Sequence, residues 1–303
     1  VAGQQAAGAA GIVRELMEPS AQLPGPAREL AQIEADAFFY AVFEFLGYDF
    51  RHYSDASRNR RLAAFVDRHS LGTISHAQSQ VLRDPELLAD LLSAMTVNVT
   101  EMFRDPPVFA KLRSEVVPRL ATYPHIRIWI AGCATGEEAY SVAILLDEAG
   151  LLDRTTIYAT DIDSESLRVA TSAIYPADAI LRGTRNYQAS GGERPFSDWY
   201  IAKYDRCILS PHLRSRLEFF SHNLATDSAF GEFNLIMCRN VFIYFEDTLQ
   251  RRVELIFRES LSAFGNLVIG PREGLTGDGA KLFTPLDRRL GIYVNSLNRN
   301  VRP

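Results

Sequence analysis

The pattern of hydrophobic and polar positions changes near Ile126. From Ala31 to about Ser114, apolar residues recur every three or four positions, the period of helices with one buried face. "AQIEADAFFYAVFEFLGYDF" stops at Gly47, and "SDASRNRRLAAFVDRHSLG" opens with the candidate caps Ser54 and Asp55 and ends near Gly72. "DPELLADLLSAM" and "DPPVFAKLRSEVVPRL" each open with Asp before Pro, at Asp84–Pro85 and Asp105–Pro106. An N-terminal cap followed by a first-turn proline is a helix start. This half is predicted to be all-α.

From Ile126 onward, short β-type runs alternate with helical ones. "IRIWIA" leads into "EEAYSVAILLDEAG", "TIYATDI" into "SESLRVATSAI", and "FNLIMCRNVFIYF" into "DTLQRRVELIFRESLSAFG"; "NLVIG" and "RLGIYVN" follow as further strands. Such alternation predicts a parallel sheet with helices on both faces, which binds ligands outside the C-terminal strand ends. Between Tyr175 and Arg216 the chain makes a longer detour. It runs through a polar stretch read as a loop, "RGTRNYQASGGERP", to two short β-prone runs, Trp199–Ala202 and Cys207–Ser210. The first thirty residues, small, polar and punctuated by Pro19, Pro24 and Pro26, read as a tail or linker. The expected organisation is therefore tail 1–30, helical domain 31–115 and α/β domain 116–303, with an insert at about 176–216.

Composition narrows the function classes. With 47% hydrophobic and 23% charged residues among 303, the chain has enough apolar material for a sizeable core. A net charge of -5 gives no reason to expect nucleic acid or an anionic membrane surface, and no apolar run approaches the ~20 residues that membrane insertion needs. Cys133, Cys207 and Cys238 are too scattered for a zinc site or a disulfide framework, which fits a reducing, cytoplasmic setting without a metal. One local exception is the basic cluster Arg58, Arg60, Arg61, Arg68 and His69, with Arg61 and Arg68 two helical turns apart. It reads either as a solvated helix face or as a docking surface for an acidic partner.

The first crossover carries the candidate chemistry. Gly132 and Gly136 flank Cys-Ala-Thr, and small residues let a backbone approach a ligand. A phosphate-binding turn would offer its helix N-terminus to an anion. Here that helix begins with Glu137 and Glu138, which would repel a pyrophosphate and favour a cation, unless they merely complement the helix dipole. The second strand ends in "ATDID", an acid placed where one accepts from a ribose diol. A diol acceptor and a cation-friendly turn, without a phosphate clamp, point to S-adenosylmethionine rather than a dinucleotide.

Five linked motifs, "NVTEMFRD" (Asn98–Asp105), "AGCATGEEAYS" (Ala131–Ser141), "ATDID" (Ala159–Asp163), "HNL" (His222–Leu224) and "IMCRNVFIYF" (Ile236–Phe245), resemble in order and spacing the chemotaxis receptor methyltransferases, the CheR family of protein-glutamate O-methyltransferases. The resemblance spans roughly Ala31 to Val294. It implies an α/β, Rossmann-like S-adenosylmethionine-dependent methyltransferase domain with a small inserted antiparallel β-subdomain, preceded by an all-α N-terminal domain. It implies transfer of the methyl group to glutamate side chains on the cytoplasmic helices of chemoreceptors, leaving S-adenosylhomocysteine. Matched by motif, Asn98, Thr100 and Arg104 lie on the segment that joins the domains and covers the cofactor. Ala131 and Glu137 match the loop positions, with Glu137 near the methionine amino group, and Asp161 matches the ribose acid. Asn223 and Leu224 match the pair beside adenine; Arg239 and Asn240 lie near the methionine end. Tyr244 matches the residue facing the transferred methyl group, and with Arg104 it would position the acceptor carboxylate. A core role for Tyr244 and an interdomain ion pair for Arg104 are the structural alternatives. His222 is read as structural, because the reaction needs no base, and Cys133 and Cys238 as packing residues.

The family's Gly-His-Ser-Glu-like turn appears here as "GPREG", with Pro271 for the histidine and Glu273 kept; Met102–Phe103 replaces a Phe-Phe pair. In some members the inserted subdomain docks a receptor's C-terminal peptide as an added strand. Other readings are a methyltransferase for another protein or small-molecule acceptor, or a non-catalytic S-adenosylmethionine-binding regulator.

Overall fold

A computed structural model of the chain describes residues 25–96 and 100–295. Residues 1–24 of the expected tail lie outside them, as does Asn98, whereas 25–30, expected to belong to the tail, open the first helix. Residue contacts divide the protein into two compact units, 25–96 with Tyr244–Leu249, and 100–243 with 250–295. The helix opened by Asp105–Pro106 thus groups with the sheet rather than with the N-terminal helices.

The first unit contains α1 (Gly25–Leu46), α2 (Asp55–Arg68), α3 (Ile74–Val81) and α4 (Pro85–Met95). Asp84 caps α4 as its sequence predicts, accepting from the Glu86 and Leu87 amides at 2.9 and 3.3 Å. Helix α3, too polar to register in the apolar pattern, is capped by Thr73, which accepts from the His76 amide at 3.1 Å. Ser54 precedes α2 but makes no side-chain cap. An edge-to-face aromatic chain, Phe38–Phe39–Phe50–Tyr53–Phe245, runs through the core and ties the 244–249 segment to the helices. The basic cluster does not form one face: Arg58 is buried, paired with Asp36 and Asp55 at 2.6 and 2.8 Å, whereas Arg60 and Arg68 are exposed. An arginine among acids at the helix packing surface is a structural ion pair, so the two open readings concern only the remainder of the cluster.

In the second unit, α5 (Pro106–Lys111), a π-helical turn (Leu112–Val116) and α6 (Val117–Leu120) lead to β1 (Ile126–Ala131), α7 (Glu137–Glu148), β2 (Thr155–Asp161) and α8 (Ser164–Ser172). The insert comprises β3 (Ile174–Pro176), α9 (Ala177–Ala189), β4 (Tyr200–Lys203) and β5 (Arg206–Leu209). After α10 (Pro211–Arg214) come β6 (Leu217–Ser221), β7 (Phe233–Cys238), α11 (Asp247–Ser260), β8 (Leu261–Ile269), β9 (Phe283–Asp287) and β10 (Ile292–Asn295). The main sheet has the order β6-β2-β1-β7-β8-β10-β9. Its first five strands are parallel, and β10 is antiparallel to both neighbours, so the sheet is mixed rather than wholly parallel. β1 and β7 are almost continuously buried, as strands covered on both faces must be. Their carboxyl ends, with those of β2 and β8, form one rim.

Two segments differ from their sequence reading. "SLSAFG" was read as the end of a helix, but α11 stops at Ser260 and β8 begins at Leu261, with a register shift against β7 and Phe264 at φ 63°. The polar "RGTRNYQA" is part of α9 rather than a loop. Its buried positions Ile180, Gly183 and Tyr187 are spaced at helical intervals, but only two are large, so the amphipathic signal is faint. Its separate three-stranded antiparallel sheet, β3-β5-β4, leaves β4 as an edge with Ile201 65% exposed.

Candidate functional site

The β1–α7 crossover turns on two glycines whose reason is packing as well as approach. Gly132 has φ +73°, and a Cβ there would lie 2.5 Å from Val241 Cγ2. Gly136, the residue before α7, has φ +92°, and its Cβ would lie 2.8 Å from that of Ala170. Both combine a left-handed backbone with a space already filled by protein, so glycine is required even before any ligand is considered.

Asp161 closes β2. Its Oδ2 accepts from the Ala134 amide at 2.8 Å and its Oδ1 from the Asp163 amide at 3.0 Å. The Ile162 amide also acts on this carboxylate, which with about four acceptor positions keeps capacity for a ligand hydroxyl. The group is only 8% exposed, and burial raises its pKa despite those three amides. Glu137 opens α7; its Oε2 accepts from Thr135 Oγ1 at 2.6 Å, and burial raises its pKa too. The neighbouring Asp163 caps α8, accepting from the Glu165 amide and Ser166 hydroxyl.

Glu138 does a different job from Glu137. Its carboxylate takes a 2.6 Å bond from Arg239 Nη1, while Arg239 Nη2 donates to Asp105 Oδ2 at 2.6 Å and to the Arg104 carbonyl at 3.0 Å. The Arg239 side chain is 1% exposed. This correction matters: the pair of acids at the α7 start is not wholly available to a ligand, because Glu138 is spent on Arg239. Asp105, expected to cap α5, makes no side-chain cap and sits at φ 57°, its carboxylate being turned to Arg239. The preceding segment is held from other sides. The Phe103 amide donates to Ser141 Oγ at 2.8 Å, Asn186 Nδ2 donates to the Met102 carbonyl at 3.1 Å, and the Tyr187 ring packs edge-on to Phe103 at 5.1 Å. Helix α9 of the insert therefore braces the Met102–Arg104 segment directly.

Of the residues singled out from sequence, the second unit brings Arg104, Ala131, Glu137, Asp161, Arg239 and Asn240 to the strand-end rim and the segments packed on it. Half-buried Thr100 begins the same segment as Arg104. Asn223 and buried Leu224 follow β6, whose end is tied to Asp161 by the His222 amide donating to the Asp161 carbonyl at 3.1 Å. Asn223 shapes its own turn, with Oδ1 accepting from the Ala225 amide at 3.0 Å. His222 packs edge-on to Trp129 and its Nε2 donates to the Ser228 carbonyl at 3.2 Å, a structural role. Cys133 and Cys238 are buried with thiols pushed well above their ordinary pKa by desolvation, so neither is a nucleophile. Tyr244 groups with the helical unit, where the Arg61 guanidinium lies 4.5 Å over its ring and also donates to the Met95 carbonyl.

Sequence reasoning missed the Glu138–Arg239–Asp105 ion cluster. Charges 134 residues apart carry no local signal, although an arginine directly after a strand apolar but for Asn234 was a hint that it would be buried. Phe103, Asp105, Ala134 and Asn240 all have positive φ. Left-handed non-glycine residues cost about 1–3 kcal/mol each and persist where surroundings over-determine them. Here they gather in the turns around the rim.

Comparison with known proteins gives a consistent answer. Residues 98–290 match the family model described as CheR methyltransferase, SAM binding domain. A Pseudomonas putida protein named "Putative methyltransferase Cher3" is 46% identical over 265 residues, 87% of this chain and 97% of that protein. A chemotaxis protein methyltransferase of Listeria innocua is 29% identical across 88% of this chain and 97% of its own length. One from Vibrio parahaemolyticus is 32% identical across 72% and 80%.

The crossover geometry makes a direct prediction. Gly132→Ala should destabilise the protein by about 1–3 kcal/mol through overlap and a left-handed alanine. Adding Val241→Ala should recover the steric part only. Chemical denaturation of the two variants checks this; wild-type stability in Gly132→Ala would contradict the packing account.

Proposed function

The chain belongs to the CheR methyltransferase family, and on that premise we propose that it methylates glutamate side chains on the cytoplasmic helices of a chemoreceptor. S-adenosylmethionine is the cofactor, and the donor set present fits it. The observation that carries the reading is Asp161: a buried carboxylate at the end of β2, held by backbone amides alone and on the same rim as the buried carboxylate of Glu137. Acids at both places suit a diol and a cation and would reject a phosphate.

Bound S-adenosylmethionine supplies an electrophilic methyl group. In this reading Asp161 accepts from the ribose hydroxyls and Glu137 pairs with the amino group. Asn223 and Leu224 lie beside the adenine, Ala131 is a loop position with Glu137, Thr100 and Arg104 are on the segment covering the cofactor, and Arg239 and Asn240 lie near the methionine end. Arg239 acts through its ion cluster, since its guanidinium is engaged with Glu138 and Asp105. Tyr244 and Arg104 orient the acceptor. A glutamate carboxylate, with a reference pKa of about 4.3, is ionised at neutral pH and needs no general base. The protein's task is alignment and exclusion of water.

The chemoreceptor substrate is supported by the relatives named as chemotaxis protein methyltransferases. Partner docking on the insert is supported by the exposed β4 edge, where Ile201 is 65% and Tyr204 93% exposed. A receptor's C-terminal peptide added beside β4 would complete that sheet. Deleting 185–195 would not test this cleanly, because it removes the Asn186 and Tyr187 braces on Met102 and Phe103.

The reading is tested with methyl-labelled cofactor and a purified receptor cytoplasmic fragment. Label should enter the fragment and leave as methanol in mild base, the behaviour of a carboxyl methyl ester. Base-stable label, or labelling of a small molecule alone, would contradict it.

Acidification supplies a second test. Burial raises the pKa of both Asp161 and Glu137, so each takes up its proton at a higher pH than a free carboxylate does. Ionised Asp161 accepts from the ribose hydroxyls and ionised Glu137 pairs with the amino group, so affinity falls as pH drops through those raised values. Calorimetric cofactor affinity should weaken as pH is lowered from neutrality, with the loss beginning above the ordinary carboxylate range. An unchanged affinity over that descent in pH would remove these acids from the cofactor site.

A further inference from the structure

The turn after β7 is fixed by side chains that belong to other elements. Gln250 Nε2, on α11, donates to the Phe242 carbonyl at 2.9 Å. Val241 fills the space beside Gly132. The densest contact comes from the turn after β8. Glu273 Oε2 accepts from the Asn240 amide at 2.7 Å and from the Gly270 amide at 2.5 Å, and its Oε1 faces the Ile243 amide at 3.3 Å. The Glu273 amide donates back to the Gly270 carbonyl at 2.9 Å, closing the "GPRE" turn on itself. A side chain at Gly270 would collide with the Glu273 carboxylate.

We propose that Glu273 is a positioning residue for methyl transfer, its carboxylate setting the Asn240–Ile243 backbone on which the methionine end of the rim depends. Three N–H groups converge on this one side chain. An acceptor-only group satisfies all three, whereas an amide must turn its NH2 towards one of them. Hydrogen bonds from amides to a charged acceptor are also the stronger kind. What they hold is a strained conformation: Asn240 has φ 61°, and a left-handed asparagine kept in a single state needs an external clamp. Nearby, Arg239 is held by a separate set of bonds, so loss of Glu273 would loosen the turn without releasing the Arg239 cluster. Burial raises the Glu138 pKa, the Arg239 guanidinium opposes this, and Glu273 adds a further negative charge close by. The same carboxylate therefore adds to the negative charge around the rim while it fixes the turn. Its action is through the backbone it binds.

The inference rests on the methyltransferase reading, and its test separates the two. Full-length Glu273→Gln, with Glu273→Ala and Glu273→Asp alongside, is compared with wild type by amide hydrogen exchange over residues 236–245, by thermal stability, by cofactor calorimetry and by steady-state transfer to the receptor fragment. Glu273→Gln should exchange the Asn240 and Ile243 amides at least about tenfold faster and lower kcat by about tenfold or more, with the fragment KM unchanged and cofactor Kd raised by only about threefold. Activity should rank Glu, then Gln, then Ala, since glutamine retains one acceptor oxygen. Wild-type exchange, or wild-type kcat despite faster exchange, would overturn the proposal. So would a fall in stability with kcat per folded molecule unchanged. If wild type itself fails to methylate the fragment, the substrate reading fails alone; exchange and calorimetry then decide Glu273, and wild-type values in both would overturn it.

Discussion

The buried guanidinium of Arg239 is the contact on which the strand-end rim depends. A charge that is 1% exposed is tolerable only with partners, and it has three: Glu138 from the first turn of α7, Asp105 from the start of α5, and the Arg104 carbonyl between them. These arise from segments that the chain visits far apart. Removing one partner would leave a buried charge uncompensated, a defect of several kcal/mol, so the segments are obliged to meet. The placement of Arg104, the unusual backbone of Asp105 and the availability of Glu137 without Glu138 all follow from satisfying this one group.

Strain and clamp are matched around it. Asp105 is left-handed because its carboxylate must reach Arg239 rather than cap its own helix. Asn240 is left-handed one residue after Arg239 and is held by Glu273. Ala134 is left-handed and donates its amide to Asp161. In each case an unfavourable φ is offset by a charge-assisted bond, which keeps the turns in one arrangement. Such turns can orient a nucleophile that needs no activation, which is the main demand of transferring a methyl group to a carboxylate.

Much of this was legible in the sequence where the signal was local. Alternating apolar runs marked β1, β2 and β7, and "ATDID" and the twin glycines marked the rim. Five spaced motifs identified the family. What was not legible was long-range or compositionally muted. The partition of Glu137 from Glu138 depends on an arginine about a hundred residues away in sequence, and their adjacency suggested one shared role. Helix α9 was hidden because its buried face is small, and its contacts with Met102 and Phe103 could not be seen without the fold. The twin glycines were visible, but the sequence alone suggested that they make room for a ligand; in the fold Val241 and Ala170 occupy the space beside them. Tyr244 was recognised by motif, yet its packing beneath Arg61 within the helical unit needed the structure.

The most direct test of this account is a crystal structure of the protein with S-adenosylhomocysteine. The account predicts ribose hydroxyls on Asp161, the amino group at Glu137, and Arg239 still closed on Glu138 and Asp105. A ligand bound away from this rim, or one that draws Arg239 out of its ion cluster to make its main contact, would contradict it.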